Sequence, residues 1–126
     1  MTMAEPHNPS EYEALLRADF ASFAQHCFHE LNPRTLFTGG WYHDIIAVKL
    51  EAVRTGRSRR VIINMPPRHL KSHPASICFP AWCLGHGPSA QIVCVSYAQD
   101  LADKLSRDCR RIVTSDRYQR LFSTRL

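Results

Sequence analysis

The feature that most constrains this chain is an apolar run that leads into a lysine-serine pair. Val61-Ile62-Ile63-Asn64-Met65 is short, rich in β-branched residues, and entered from the basic turn Arg57-Ser58-Arg59-Arg60. Such a run predicts a buried parallel strand. It passes into Pro66-Pro67-Arg68-His69-Leu70-Lys71-Ser72, after which a helix is expected from about Ser72 to Leu84. A polyanion held between a strand and a helix is bound by backbone N–H groups and by the positive end of the helix. A lysine adds a point charge on the terminal phosphates, and the hydroxyl after it ligates magnesium. Lys71 and Ser72 stand where those two groups are required. The standard pattern G-x-x-x-x-G-K-[ST] is not met, because Met65 and Leu70 occupy its glycine positions. Leu70 puts a β-carbon where glycine lets the backbone approach phosphate closely. Pro66 and Pro67 have no N–H, so the cradle must come from the amides of Arg68 to Ser72, with side-chain contacts from Arg68 and His69. The competing assignment is a plain strand-to-helix turn carrying an exposed Lys-Ser.

The flanking sequence extends the pattern. Residues 1–9 carry two prolines and no apolar periodicity, as a flexible leader would. Ser10 and Glu13 have capping-box spacing. Tyr12, Leu15, Leu16, Phe20, Phe23, Cys27, Phe28 and Leu31 then form one face of a long helix that ends near Asn32-Pro33. A loop closes in Gly39-Gly40, and a second helix is expected over 42–55. Its inward residues are Trp41, Ile45, Ile46, Leu50 and Val53, and Gly56 caps its end. Beyond residue 72, Pro80 must kink or split the helix that contains it. Gln91–Ser96 reads as a second strand, 98–114 as a strong helix with Leu101, Leu105, Cys109 and Ile112 on one face, and 115–122 as a short last helix. Strand, loop, helix, strand, helix predicts an α/β fold with a parallel sheet. The expected organisation is a leader over 1–9, a helical segment over 10–56, and the start of an α/β domain over 57–126. Two strands are few for such a sheet, so the domain is expected to be incomplete.

Charge and cysteine usage narrow the classes of partner. The formal charge is +5, and Lys104, Arg107, Arg110, Arg111, Arg117, Arg120 and Arg125 crowd one stretch against Asp108 and Asp116. That stretch suits a nucleic-acid surface or a solvated helix face. Cys27, Cys78, Cys83, Cys94 and Cys109 include no C-x-x-C pair, which fits reduced thiols in a cytosolic protein. A zinc site from Cys78, Cys83 and His86 lacks a fourth ligand. No stretch approaches the roughly 18 apolar residues of a membrane span.

The segment Arg60–Ser72 resembles the Walker A region of the phage terminase large subunit family, in which an apolar strand precedes Pro-Pro-Arg-His-Gly-Lys-Ser. The likeness extends upstream through Trp41-Tyr42-His43 and downstream through Phe79-Pro80-Ala81-Trp82, Val95-Ser96-Tyr97-Ala98 and Ser106-Arg107-Asp108. It covers about residues 35–126, and Leu70 departs from the family's glycine. The resemblance implies a partial P-loop NTPase sheet of the RecA/ASCE type and an ATP-driven motor that packages double-stranded phage DNA in the host cytoplasm. In that family the small terminase subunit and the portal protein are partners. The implied nucleotide-binding residues are Pro67, Arg68, His69, Leu70, Lys71 and Ser72, with ATP and Mg2+ as cofactors. Lys71 would contact the β- and γ-phosphates, Ser72 would ligate magnesium, and Arg68 would stabilise the γ-phosphate. Trp41 and His43 would lie towards the adenine, with packing as the alternative for Trp41. DNA would meet Lys104, Arg107, Arg110, Arg111, Arg117 and Arg120.

Hydrolysis also needs acids at the end of a second strand. Here Asp100, Asp103, Asp108 and Asp116 are the acids after the loop, and all fall in segments expected to be helical. Nucleotide binding without competent hydrolysis or nuclease chemistry is therefore expected. A small basic DNA-binding or interaction module and another helicase-like P-loop ATPase are the alternatives.

Overall fold

The computed structural model describes residues 9–35, 37, 41–64 and 73–124. The expected leader up to residue 8, Gly39-Gly40, and the whole of 65–72 lie outside the described residues. Six α-helices account for most of the rest: α1 (Pro9–Ala18), α2 (Phe20–Leu31), α3 (Trp41–Arg54), α4 (Phe79–His86), α5 (Gln99–Val113) and α6 (Asp116–Leu121). A π-wound turn, His73–Cys78, runs directly into α4.

The single long helix expected at the amino end is two helices, broken at Asp19. Asp19 has extended backbone (φ −119°, ψ 109°), and its carboxylate accepts from the Ser22 amide at 3.2 Å. A second carboxylate, Glu51 of α3, accepts from the Phe20 amide at 2.8 Å. Two anions thus meet the open N–H groups and the positive dipole of α2. Glu13, expected in a capping box, instead binds Arg117 at 3.3 Å and Arg120 at 3.2 Å, tying α1 to α6. At the end of α3, Gly56 takes φ 81°, the left-handed geometry that its sequence position predicts.

The helix that contains Pro80 is divided into a π-wound turn and α4. Pro80 sits in the first turn of α4, just after the π-wound residues. An uninterrupted α-helix would need an N–H at position 80 to reach the Ser76 carbonyl, and the wider winding before it removes that requirement.

The core gathers around α2. Leu16, Phe20, Phe23, Cys27, Cys78, Trp82, Ile112 and Tyr118 are fully buried or nearly so. Rings interlock there: Phe20 lies 5.2 Å from Trp82, and Tyr118 lies 5.0 Å from Phe122. Gly85 lets α4 close on that cluster, because a β-carbon there would stand 2.5 Å from the Phe122 ring. Helices from both sides of residue 56 contribute to this one core.

The α/β expectation is overturned. Among the described residues there is no strand and no sheet, and so no parallel P-loop sheet. Residues 61–64 and 91–96 run without ladder partners, and Ile62, Val93, Val95 and Tyr97 are 86%, 86%, 90% and 94% exposed. A parallel strand needs a neighbour for its backbone and a helix over each face. These two runs do not pair with each other, and every other described element is a helix, whose amides are already bonded internally. On α3 the inward face is Ile46, Ala47 and Leu50, while Trp41 and Ile45, expected inside, are 75% and 50% exposed.

Candidate phosphate loop and basic helix face

The residues predicted to bind nucleotide, Pro67 to Ser72, lie outside the described residues, and with them the magnesium ligand Ser72. Their two flanks are described. Residues 61–64 approach from one side, with Val61 and Ile63 half-buried and Ile62 and Asn64 exposed. On the other side, His73, the first described residue after Ser72, is already helical, and the winding continues through α4 to His86. The described part of the helix expected from about Ser72 to Leu84, from His73 on, is therefore helical.

The predicted DNA-contacting residues divide into two groups. Arg117 and Arg120 are engaged by Glu13, and the Arg117 guanidinium also stacks 5.2 Å from the centre of the Tyr12 ring. Lys104 pairs with Asp108 at 2.9 Å along α5, although its side chain stays 63% exposed. Arg107, Arg110 and Arg111 are exposed and have no ion pair among the described residues. Their spacing of three and four residues sets Arg107 and Arg111, with Lys104, on the side of α5 away from Leu105, Cys109 and Ile112, while Arg110 borders a cleft that Leu105 and Cys109 also line. The first two turns of α5 are acidic as well, with Asp100 and Asp103; Gln99 donates to Asp103 at 2.8 Å. The positive charge is thus concentrated in the second half of the helix. The acids after residue 72 are on helices, Asp100, Asp103 and Asp108 on α5 and Asp116 on α6.

Two other expectations can be placed. Trp41 projects from the start of α3 and touches Tyr42 at 6.0 Å between ring centres. His43 is half-buried between Tyr42 at 4.4 Å and Phe37 at 5.4 Å. Ser96 borders a cleft of 470 Å³ between α4, α5 and the extended 92–96 segment, with Ser76, Cys94, Cys109 and Arg110 also on its wall. Burial pushes the Cys109 thiol up to about 11, so it stays protonated at neutral pH. The five cysteines form no disulfide, and no group of three or more His, Cys, Asp or Glu side chains among the described residues is placed to hold a metal ion. No helix among the described residues is long and apolar enough to cross a membrane.

Comparison with protein-family models, with curated proteins and with solved structures gives no match for this chain.

The sequence missed one cluster of polar chemistry. Arg54, at the end of α3, stacks 4.8 Å from the centre of the Trp82 ring, and His86 meets the same indole edge-on at 4.5 Å. Arg54 and Trp82 are 28 residues apart with no shared motif, so only the fold, with α3 against α2 and the π-wound turn that leads into α4, brings them together.

Proposed function

We propose that this chain is an amino-terminal portion of a DNA-packaging ATPase of the phage terminase large-subunit type, binding nucleotide phosphates through residues 66–72. The observation that carries this reading is the run Pro66-Pro67-Arg68-His69-Leu70-Lys71-Ser72, followed at once by helical winding from His73. A helix start adds unpaired amides and a positive dipole beside the lysine, which together favour an anion. In this role Lys71 holds the terminal phosphates of ATP, Ser72 a phosphate-bound Mg2+, and Arg68 the γ-phosphate. The contribution rests on these groups and not on a sheet.

The exposed guanidinium groups of Arg107, Arg110 and Arg111 supply a sequence-independent contact to the phosphates of double-stranded DNA. Arg117 and Arg120, held by Glu13, contribute less. The small terminase subunit and the portal protein are the partners in this setting, and the bacterial host cytoplasm is its location.

Calorimetric titration of Mg-ATP into the parent chain and Lys71→Ala tests the phosphate site. At least tenfold weaker binding by the variant, a loss of about 1.4 kcal/mol, is expected. DNA affinity measured across salt concentrations tests the helix face. Replacing Arg107, Arg110 and Arg111 together should flatten the logarithmic salt slope by up to ~3, because each neutralised phosphate contributes about 0.9. Equal ATP binding by Lys71→Ala, with DNA binding abolished by Arg110→Ala and Arg111→Ala, would leave a basic DNA-binding module as the better description.

A further inference from the structure

We infer that the cleft between the last turn of α3 and helix α4 binds an organic anion with a flat apolar body, an aromatic phosphate or carboxylate. The cleft has a volume of 400 Å³, and its walls include Val53, Phe79, Pro80 and Ile92. That size and apolar lining suit a small molecule held by a few polar groups. The cationic group here is Arg54; His86 lies on the same wall.

Arg54 is pre-oriented. Its guanidinium lies 4.8 Å from the centre of the Trp82 ring, and Trp82 is itself fixed, 1% exposed, with its indole N–H donating to the Leu16 carbonyl at 3.3 Å. His86 is fixed as well. Its Nε2 lies 2.8 Å from the Arg17 carbonyl, which can only accept, so Nε2 carries a proton. Burial first, and then the Arg54 charge, lower the His86 pKa, while burial raises the Cys83 thiol and Arg54 offsets only part of that rise.

No acid answers this charge. Among the described residues Arg54 has no ion pair. Glu51, one turn earlier on α3, is committed to the Phe20 amide. Arg54 is exposed on this wall, so an anion whose body fills the rest of the cleft gains a charge-assisted bond together with apolar contact. This inference does not depend on the loop at 66–72.

Trp82 reports on the cleft, because Trp41→Phe leaves it the only indole. Phenyl phosphate and benzoate are titrated separately into the whole Trp41→Phe chain at constant ionic strength. At least one should give a saturable change in Trp82 emission, and calorimetry on the parent chain should give the same ranking. Phenol and inorganic phosphate, each carrying half of the recognised chemistry, should bind at least tenfold more weakly. Arg54→Met keeps an apolar stem over the indole and should lose at least tenfold in affinity. Arg54→Lys should regain part of that loss, and the exposed control Arg57→Met should lose nothing. Lys71→Ala should bind as the parent does, which separates this site from the phosphate loop. The inference is overturned if neither anion saturates, if phenol binds as tightly as the anions, if Arg54→Met and Arg54→Lys both bind like the parent, or if Lys71→Ala abolishes binding.

Discussion

The hydroxyl of Tyr118 donates to the Ala81 carbonyl at 2.7 Å, inside a cluster of rings that excludes water. Tyr118→Phe keeps the ring and removes the hydroxyl, with its bond to the Ala81 carbonyl and its hydrogen bond with Thr124. A decrease of about 1 kcal/mol in unfolding free energy is expected, read from the urea midpoint. His26 is a different case. Its Nδ1 lies 3.3 Å from the Tyr12 hydroxyl, while its Nε2 is buried with no hydrogen-bond partner. Burial first, and then the Arg117 charge from α6, hold its pKa below the ordinary 6.5, with Glu30 acting the other way and His29 adding to the lowering. The folded protein therefore keeps this ring neutral where the unfolded chain would protonate it. Its contribution to stability is complete above pH 6.5 and is lost as pH falls from there through the lowered folded value. Urea midpoints at pH 7.5 and 5.5 should differ less in His26→Gln than in the parent. An equal difference would remove His26 from the account, leaving His86, whose pKa is lowered in the same direction.

At the scale of elements, the capping carboxylate of Asp19 decides where α1 ends and α2 begins. Asp19→Ala should cost about 1 kcal/mol, the usual value of an N-terminal cap, as a shift in thermal or urea midpoint with little change in helix content. The helices were largely legible in the sequence, since apolar residues at spacings of three and four bury one face whatever lies opposite. Leu16, Phe20, Phe23 and Cys27 on the first two helices, and Ile112 and Val113 on α5, face inward as that spacing implies. The break at Asp19 was hidden because the apolar stripe continues across it without losing phase; its trace was an Asp followed three residues later by Ser22. The two strands were misjudged for a different reason. A β-branched run shows a capacity to be buried between neighbours, and the neighbours are not written in the run itself. Of the candidate sites, the charge on α5 was legible, but the capture of Arg117 and Arg120 by Glu13 was not. That pairing joins residues more than a hundred positions apart.

Across the whole molecule, protection from solvent is uneven. Residues 92–97 have no backbone hydrogen bond among the described residues, and Val93, Val95 and Tyr97 face outward. Hydrogen exchange should therefore find their amides nearly unprotected, while those in the middle of α2 exchange slowly, through large openings. Slow exchange over 92–97 would show that this segment is paired in solution. The central place of α2 also sets an order of assembly. Phe20 and Phe23 lie early in the chain, and the rings that cover them, Trp82, Tyr118 and Phe122, lie late. During synthesis at about 5–20 residues per second, this apolar face must wait uncovered for several seconds while its partners emerge. Closing so long a loop also costs entropy before any of the core is gained. A helical protein built this way should fold more slowly than a bundle of sequence neighbours, and should depend on chaperones in the interval between its first two helices and its last.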